Sequence, residues 1–456
     1  MDIYAEKETE LRQVKTKQQE FITRLRKTYP EYAGIHYPQP VKPEEVLLNL
    51  NEVLIEFEVT DNATIVFMLK DKKVKTRRID ISREELQQKV LEYRGYFEDI
   101  SQISDLLKFD PQKGKKLYDL LFGDLLASVK EGTNLVIVPD EFLGILPFEA
   151  LITDLPKEEK FGEGEFGPFP LGVTYLADRY TLSYAQSATS LSLIRTLKKE
   201  VVTGNNMLVV ADPIFSATDS RMTQTARLEV AQETINLMGA ISDWKQMGMA
   251  GIRYRGEERK ISEIADELFP RLEKTEVLAG KMKSLFGGKT MVLSGLNARE
   301  DKVKNTNFTD YGFLTFATHG ILDNMVPYIR EPALVLSQVG NPEGVDGFLT
   351  MSEVMALKLN AKVVALTACG TGVGKNVSGE GVMGMGRAFQ FAGARNVLVS
   401  LWSVAETSAT ELTYAFYGFV KEGKEPKEAL GLARNEIRRK GYEHPFYWAA
   451  FILVGN

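Results

Sequence analysis

VVALTACGTGVGKNVSGEG, residues 363–381, is the stretch that decides the fold. Its apolar start, Val363 to Leu366, leads directly into Thr-Ala-Cys-Gly and a glycine-rich loop. A continuous apolar run is typical of a parallel strand that is covered on both faces of its sheet. In α/β proteins, reactive groups lie where such strands end in glycine-rich loops. The stretch therefore predicts an α/β fold that places Cys369 just beyond a central strand.

Cys369 is the only cysteine of the chain, so the sequence allows no intramolecular disulfide and no cysteine-rich zinc site. Backbone N–H groups of the loop, and of a helix predicted to begin near residue 382, would stabilise a thiolate at this position. A buried structural cysteine explains the same local context equally well, because unpaired cysteines are among the most buried residues. The residues around Cys369 leave both interpretations open.

A second apolar strand ends in the same way. Residues 312–320 read GFLTFATHG, so His319 follows a strand and precedes Gly320. Two strands that end in His-Gly and Cys-Gly, 50 residues apart, are expected at one edge of the same sheet. An imidazole that takes the thiol proton, and a thiolate that attacks a carbonyl, form a Cys–His dyad. We predict His319 and Cys369 as catalytic residues, with the N–H groups of Gly320 and Cys369 as oxyanion donors.

Strand-like and helical patterns alternate along most of the chain. A hairpin is predicted around Asp61-Asn62, and further strands at 180–184, 207–211, 290–293, 313–317, 362–367, 395–401 and 449–454. Helices are predicted at 83–98, 115–131, 261–268, 352–357, 382–391, 407–421 and 427–439. This order predicts a mostly parallel sheet with helices on both faces.

Composition and charge exclude several classes of function. The formal net charge of −6 argues against an electrostatic grip on nucleic acid. No apolar run approaches the roughly 18–20 residues that span a bilayer, and the N-terminal residues lack an apolar signal core. We therefore expect a cytoplasmic protein without a membrane partner. With three histidines and one cysteine, and without a complete phosphate-binding loop, we expect no metal or organic cofactor.

Several segments of the C-terminal half resemble one known family. They are FATHG (316–320), PALVLS (332–337), DGFLTMSEV (346–354), LTACGTGVGKNVSGEGVMGMGRAFQFAGARNVLVSLWSV (366–404) and HPFYWAAFILVGN (444–456). They resemble CHAT-domain proteins, which are caspase- and separase-like cysteine peptidases of clan CD and are often joined to tetratricopeptide repeats. No such repeat is visible in this sequence. In caspases the catalytic histidine lies about 50 residues before the cysteine, which is similar to the spacing found here.

The resemblance implies a caspase-like α/β fold with a degenerate N-terminal lobe and an active C-terminal lobe. On this basis residues 1–40 are a linker helix, 41–200 the N-terminal lobe and 201–456 the catalytic lobe, with an insert at 214–258. The resemblance also implies that His319 is the catalytic histidine and Cys369 the nucleophile.

In separases an acidic residue after a Leu-Trp-x-Val stretch helps to form the pocket for the P1 side chain, and Glu406 takes that place here. Glu406 and Trp402 are thus expected to bind substrate, and a basic P1 residue is expected from charge pairing. A surface glutamate at a helix start is the structural alternative.

The resemblance therefore implies a cysteine endopeptidase that acts on proteins or peptides and is regulated by a partner or ligand. Family context suggests a role in bacterial signalling or defence. The alternative is a regulated interaction module whose protease site is silent until it is activated. A dead scaffold and a nucleotide-binding protein fit the residues less well.

Overall fold

The computed structural model describes residues 3–28, 39–98, 100–196, 204–216, 218–222, 252–254, 257–259, 269–321, 329–367 and 379–455. Cys369 and the glycine-rich loop that follows it lie outside the described residues. So do most of the insert predicted at 214–258 and the helix predicted at 261–268.

The strands are numbered in chain order. They are β1 (Glu52–Val59), β2 (Thr64–Lys70), β3 (Lys73–Ile79), β4 (Asn134–Val138), β5 (Ile152–Asp154), β6 (Phe161–Gly164), β7 (Gly167–Pro170), β8 (Thr174–Tyr175), β9 (Thr181–Tyr184), β10 (Met207–Pro213), β11 (Ile252–Tyr254), β12 (Glu257–Arg259), β13 (Thr290–Gly295), β14 (Phe313–Ala317), β15 (Gly320–Ile321), β16 (Ala333–Val335), β17 (Phe348–Thr350), β18 (Val363–Leu366), β19 (Asn396–Ser400) and β20 (Phe451–Gly455).

The α-helices are numbered in the same way. They are α1 (Ile3–Thr28), α2 (Arg83–Glu98), α3 (Pro111–Leu121), α4 (Leu176–Arg179), α5 (Ala188–Thr196), α6 (Glu273–Phe286), α7 (Glu300–Lys304), α8 (Met351–Ala356), α9 (Gly379–Ala392), α10 (Glu406–Lys421), α11 (Pro426–Arg439) and α12 (Pro445–Trp448).

One large sheet organises the described part of the chain. Its eleven strands follow the order β13-β10-β14-β18-β19-β20-β9-β4-β1-β2-β3. The neighbours are parallel except at the β1–β2, β2–β3 and β19–β20 pairs. The expected α/β architecture with a mostly parallel sheet is confirmed, and each strand predicted between residues 180 and 454 is present.

The helix predicted over 115–131 is wrong in its second half. Helix α3 begins at Pro111, where Asp110 caps it by accepting a hydrogen bond from the Gln112 N–H (2.9 Å), and it ends at Leu121. Gly123 then takes a positive φ of 52°, which an α-helix does not allow. A short 3₁₀ turn, Leu125–Ser128, follows.

Buried polar contacts join the N-terminal and C-terminal halves of the chain. The fully buried Glu149 carboxylate contacts the guanidinium of Arg434 on α11 at 3.0 Å and accepts a hydrogen bond from Tyr184 at 2.6 Å. Arg94 on α2 donates to the carbonyls of Ile145 (2.6 Å) and Leu401 (2.5 Å). The halves therefore share one interior, and the lobe boundaries at 41–200 and 201–456 stay a prediction.

Candidate active site

The two strands that carry the predicted dyad are direct neighbours in the sheet. β14 pairs in parallel with β18, and Phe316 lies opposite Leu366. His319 follows Phe316 by three residues, and Cys369 follows Leu366 by the same number. After β18 the described residues extend to Thr367, whose N–H donates a hydrogen bond to the Phe316 carbonyl at 3.1 Å. The predicted neighbourhood of the two strand ends is therefore present, whereas the Cys369 side chain lies outside the described residues.

His319 is held by aromatic side chains from two loops. Its ring centroid lies 5.3 Å from that of Phe215, which follows β10, and 5.8 Å from that of Phe269, which precedes α6. The residue is 8% exposed. Such close packing restricts rotation of the imidazole ring. The chemistry of the ring then depends on the hydrogen bonds of its two nitrogens.

The hydrogen bond of His319 fixes the tautomer of its ring. Nε2 lies 2.7 Å from the backbone carbonyl oxygen of Pro270. Because a carbonyl oxygen only accepts hydrogen bonds, Nε2 must carry the hydrogen. In the neutral ring, Nδ1 is then unprotonated and able to accept a proton.

Burial lowers the pKa of His319 below its ordinary value of 6.5, although the hydrogen bond to Pro270 acts in the opposite direction. The imidazole is therefore neutral at pH 7, which is the state that a general base requires.

The backbone beyond His319 leaves an N–H group directed away from its partner strand. The Val335 N–H donates to the His319 carbonyl at 2.8 Å, while Gly320 lies opposite Leu334. In this antiparallel pattern Gly320 occupies a non-hydrogen-bonded pair position, so its N–H does not face β16. The role of the Gly320 N–H as an oxyanion donor stays a prediction.

A cleft of about 280 Å³ opens beside His319. It is lined by the start of α6, the end of β18, the segment after β19 and the start of α10: Leu272, Lys274, Thr275, Leu278, His319, Thr367, Trp402, Ser403, Val404, Ala405, Glu406, Ala409 and Thr410. The structure thus brings His319, Trp402 and Glu406 together around one cavity.

Trp402 and Glu406 also have structural partners. The Trp402 ring stacks on Phe97 of α2, with centroids 5.2 Å apart, and its Nε1–H donates to the Phe446 carbonyl at 3.2 Å. The Glu406 carboxylate accepts a hydrogen bond from the Lys274 N–H at 2.8 Å, in the first turn of α6. Glu406 therefore faces the cleft and also satisfies a free N–H at a helix start.

Sequence reasoning missed two features of this site. The first is the Pro270 carbonyl, because no sequence pattern distinguishes it from other backbone carbonyls. The second is Thr367, which is 5% exposed and whose Oγ1 has no hydrogen-bond partner in the structure as described. Its place directly after an apolar strand was the available signal.

A family model of the CHAT domain matches residues 111–456. The chain belongs to the CHAT-domain family. This assignment covers the strands that carry His319 and Cys369 and the helix that begins at Glu406.

The CHAT-domain chain is also similar to two curated proteins over a short region. Tetratricopeptide repeat protein 28 from Homo sapiens is 38% identical over 109 residues, and its Mus musculus counterpart 34% identical. The matched region is 24% of this chain, and the chain spans about 4% of the length of these relatives.

Two solved structures resemble the CHAT-domain chain at low identity. The Saccharomyces cerevisiae separase–securin complex matches with a TM-score of 0.45 and 11% identity, over 91% of this chain and 30% of that chain. The Arg-specific cysteine proteinase gingipain R matches with a TM-score of 0.37 and 9% identity, over 82% of this chain and 74% of that chain.

Within the described ranges, none of the helices combines the length and the apolar character needed to cross a membrane. The same ranges contain no group of three or more histidine, cysteine, aspartate or glutamate side chains that could hold a metal ion. The cytoplasmic location stays a prediction.

Proposed function

We propose that this CHAT-domain chain is a cysteine endopeptidase in which Cys369 is the nucleophile and His319 the general base. The observation that carries the proposal is the hydrogen bond from His319 Nε2 to the Pro270 carbonyl at 2.7 Å. It leaves a basic Nδ1 on a neutral ring, at a strand end whose immediate neighbour leads to Cys369. Membership of the CHAT family supports the same assignment.

The proposed reaction begins when Nδ1 of His319 takes the proton of the Cys369 thiol. The thiolate attacks the carbonyl carbon of the scissile peptide bond, and the carbonyl oxygen becomes an oxyanion. The N–H groups of Gly320 and Cys369 donate to that oxyanion. The imidazolium then protonates the departing amine, so the C–N bond breaks and a thioester remains. Water, deprotonated by His319, hydrolyses the thioester and regenerates the thiol.

Labelling of the single thiol tests this proposal directly. The purified chain is treated with an arginyl acyloxymethyl ketone and, separately, with iodoacetamide, and the labels are located by mass spectrometry. We expect both reagents to label Cys369, and we expect ketone labelling to fail in His319→Gln. Labelling by iodoacetamide alone would indicate an accessible site that is either silent until it is activated or specific for a P1 residue other than arginine. Absence of both labels would contradict an accessible nucleophile.

We further propose that Glu406 selects a basic P1 side chain. Its carboxylate lies in the cleft wall, and a guanidinium entering the cleft would pair with it. Lys274 lines the same cleft, and its ammonium group would oppose a basic ligand, so the balance between the two charges decides the preference. Cleavage of a peptide library by wild type, Glu406→Gln and Lys274→Gln measures this balance. We expect Glu406→Gln to lose preference for arginine and Lys274→Gln to strengthen it. An unchanged profile in both variants would contradict the role of Glu406.

A further inference from the structure

Asp212 and Arg271 form a two-pronged ion pair next to the proposed site. Arg271 Nε donates to Asp212 Oδ1 at 3.0 Å, and Arg271 Nη2 donates to Asp212 Oδ2 at 2.8 Å. The Asp212 side chain is 4% exposed and that of Arg271 30% exposed. Arg271 directly follows Pro270, whose carbonyl accepts the hydrogen bond from His319. The ion pair therefore holds the chain at the residue next to the carbonyl that orients the imidazole.

The position of Asp212 in the sheet places this ion pair beside the strand end that carries His319. Asp212 lies near the C-terminal end of β10. Because β10 pairs in parallel with β14, Asp212 lies at the same edge of the sheet as His319, which follows β14. Asp212 lies one residue before the end of β10, and Thr318-His319 and Thr367 directly follow β14 and β18, so the C-terminal ends of three adjacent strands carry these residues. Asp212 also adopts a positive φ of 47°, which is uncommon for residues other than glycine but is adopted more readily by aspartate and asparagine.

Stabilisation of the buried carboxylate does not by itself require Arg271. Arg221 also contacts Asp212 Oδ2 at 2.6 Å and donates to the Asp212 carbonyl at 2.9 Å. A buried carboxylate with one arginine partner is already paired. The second arginine instead connects the end of β10 to the segment that enters α6. Thr275 reinforces this connection, because its hydroxyl accepts from the Asp212 N–H at 3.0 Å and donates to the Leu272 carbonyl at 2.7 Å.

We infer that the Asp212–Arg271 pair is a positioning device that fixes the Pro270 carbonyl and thereby holds His319 as its Nε2–H tautomer. The inference rests on the proposed function, because the retained tautomer keeps Nδ1 basic for the Cys369 thiol. Neither residue touches the reacting atoms, so both act through Pro270. Phe269, on the other side of Pro270, is buried against the same histidine and anchors the segment from its other end.

The test measures the tautomer itself. The full chain is labelled with ¹⁵N-histidine, and its three histidines are observed in long-range ¹H–¹⁵N spectra, with His319 assigned from His319→Gln. In wild type we expect His319 to be present only as the Nε2–H form. In Arg271→Met we expect a second population with the hydrogen on Nδ1, together with a loss of kcat of about 10- to 100-fold from misplacement of the base. Asp212→Asn, which tolerates the positive φ, is the second variant and should give the same spectral change.

Arg299→Met is the matched control. Arg299 forms a comparable two-pronged pair with Asp301, at 2.9 and 3.0 Å, at the start of α7 and on a different segment from Pro270. A tautomer change in Arg271→Met and Asp212→Asn but not in Arg299→Met supports the inference. An unchanged His319 spectrum in both site variants, or an equal change in Arg299→Met, overturns it. The tautomer signal does not depend on cleavage, so an inactive wild type with a shifted Arg271→Met spectrum would contradict an endopeptidase that is active on its own and leave the positioning role intact.

Discussion

His319 and His444 are both buried histidines surrounded by aromatic rings, yet they lie in different kinds of environment. His319 is 8% exposed, lines a cleft and lies near the rings of Phe215 and Phe269. His444 is 1% exposed and lies near the rings of Phe97 and Phe109. Burial lowers the pKa of both, and that of His444 falls to about 3.

The ring nitrogens show how the two histidines differ. His444 Nδ1 accepts a hydrogen bond from the Phe446 N–H at 3.1 Å and so caps the start of α12. His319 instead donates through Nε2 to a loop carbonyl, which leaves a basic nitrogen beside a cleft. Burial and a lowered pKa, which both histidines share, therefore do not support the proposed catalytic role. That proposal depends instead on the direction of the His319 hydrogen bond and on the access of His319 to a cavity.

The largest contrast is expected from the same substitution at both positions. His319→Gln should lower kcat/KM for peptide cleavage by about 10²–10⁴-fold, because glutamine cannot take and return a proton. His444→Gln should retain activity per folded molecule but lose about 1–3 kcal/mol of unfolding free energy, because the cap at α12 and its packing are disturbed. Cleavage kinetics and urea denaturation measure the two effects. Normal cleavage by His319→Gln would contradict a difference in catalytic role between the two histidines.

Acid should destabilise the fold through the same histidines. Each has a lowered pKa in the folded state, so below pH 6.5 the unfolded chain binds a proton that the folded chain does not. For His444 the loss grows from pH 6.5 down to about 3 and amounts to roughly 5 kcal/mol.

Urea denaturation at pH 7.5 and 5.0 measures this loss. We expect His444→Gln to flatten the pH dependence more than His319→Gln does. Glu52 serves as a reference for a group that titrates at lower pH. Burial alone would raise the pKa of Glu52, but Arg195 and Lys427 lower it to about 2. The stabilising contribution of Glu52 is therefore lost only between about pH 4.5 and 2. An equal slope in wild type and His444→Gln between pH 7.5 and 5.0 would contradict the role of His444.

The smallest contrast concerns two threonines on neighbouring strands. Thr315 on β14 is fully buried and its hydroxyl donates to the Tyr417 hydroxyl at 3.1 Å. Thr367 follows β18 at the cleft, and its hydroxyl has no partner within the ranges described. Thr315→Val should cost about 1 kcal/mol, and Thr367→Val should change the unfolding free energy by less than about 0.5 kcal/mol. If thermal unfolding shows equal losses, Thr367 has a partner in the folded chain.

Much of the sheet could be predicted from the sequence because its strands are continuous apolar runs. The strands of the C-terminal half lie where the patterns placed them, and the hairpin predicted around Asp61-Asn62 is formed by β1 and β2. The helix predicted at 83–98 is α2, and at its start the Glu85 N–H donates to the Ser82 hydroxyl at 3.2 Å. The prediction of one helix over 115–131 was wrong because Gly123 ends the helix early. The helical pattern of this segment does not reveal the turn at Gly123.

The sequence alone determined the α/β architecture and selected His319 and Cys369, because strand patterns and their glycine-flanked ends are local information. Only the tertiary structure placed β10, β14 and β18 side by side, brought the Pro270 carbonyl to His319 across 49 residues, and joined Asp212 to Arg271 across 59. It also decided that His444 caps a helix in a closed core whereas His319 faces a cleft. These contacts join residues far apart in the chain, and no local pattern of side chains specifies which distant partner will be nearby.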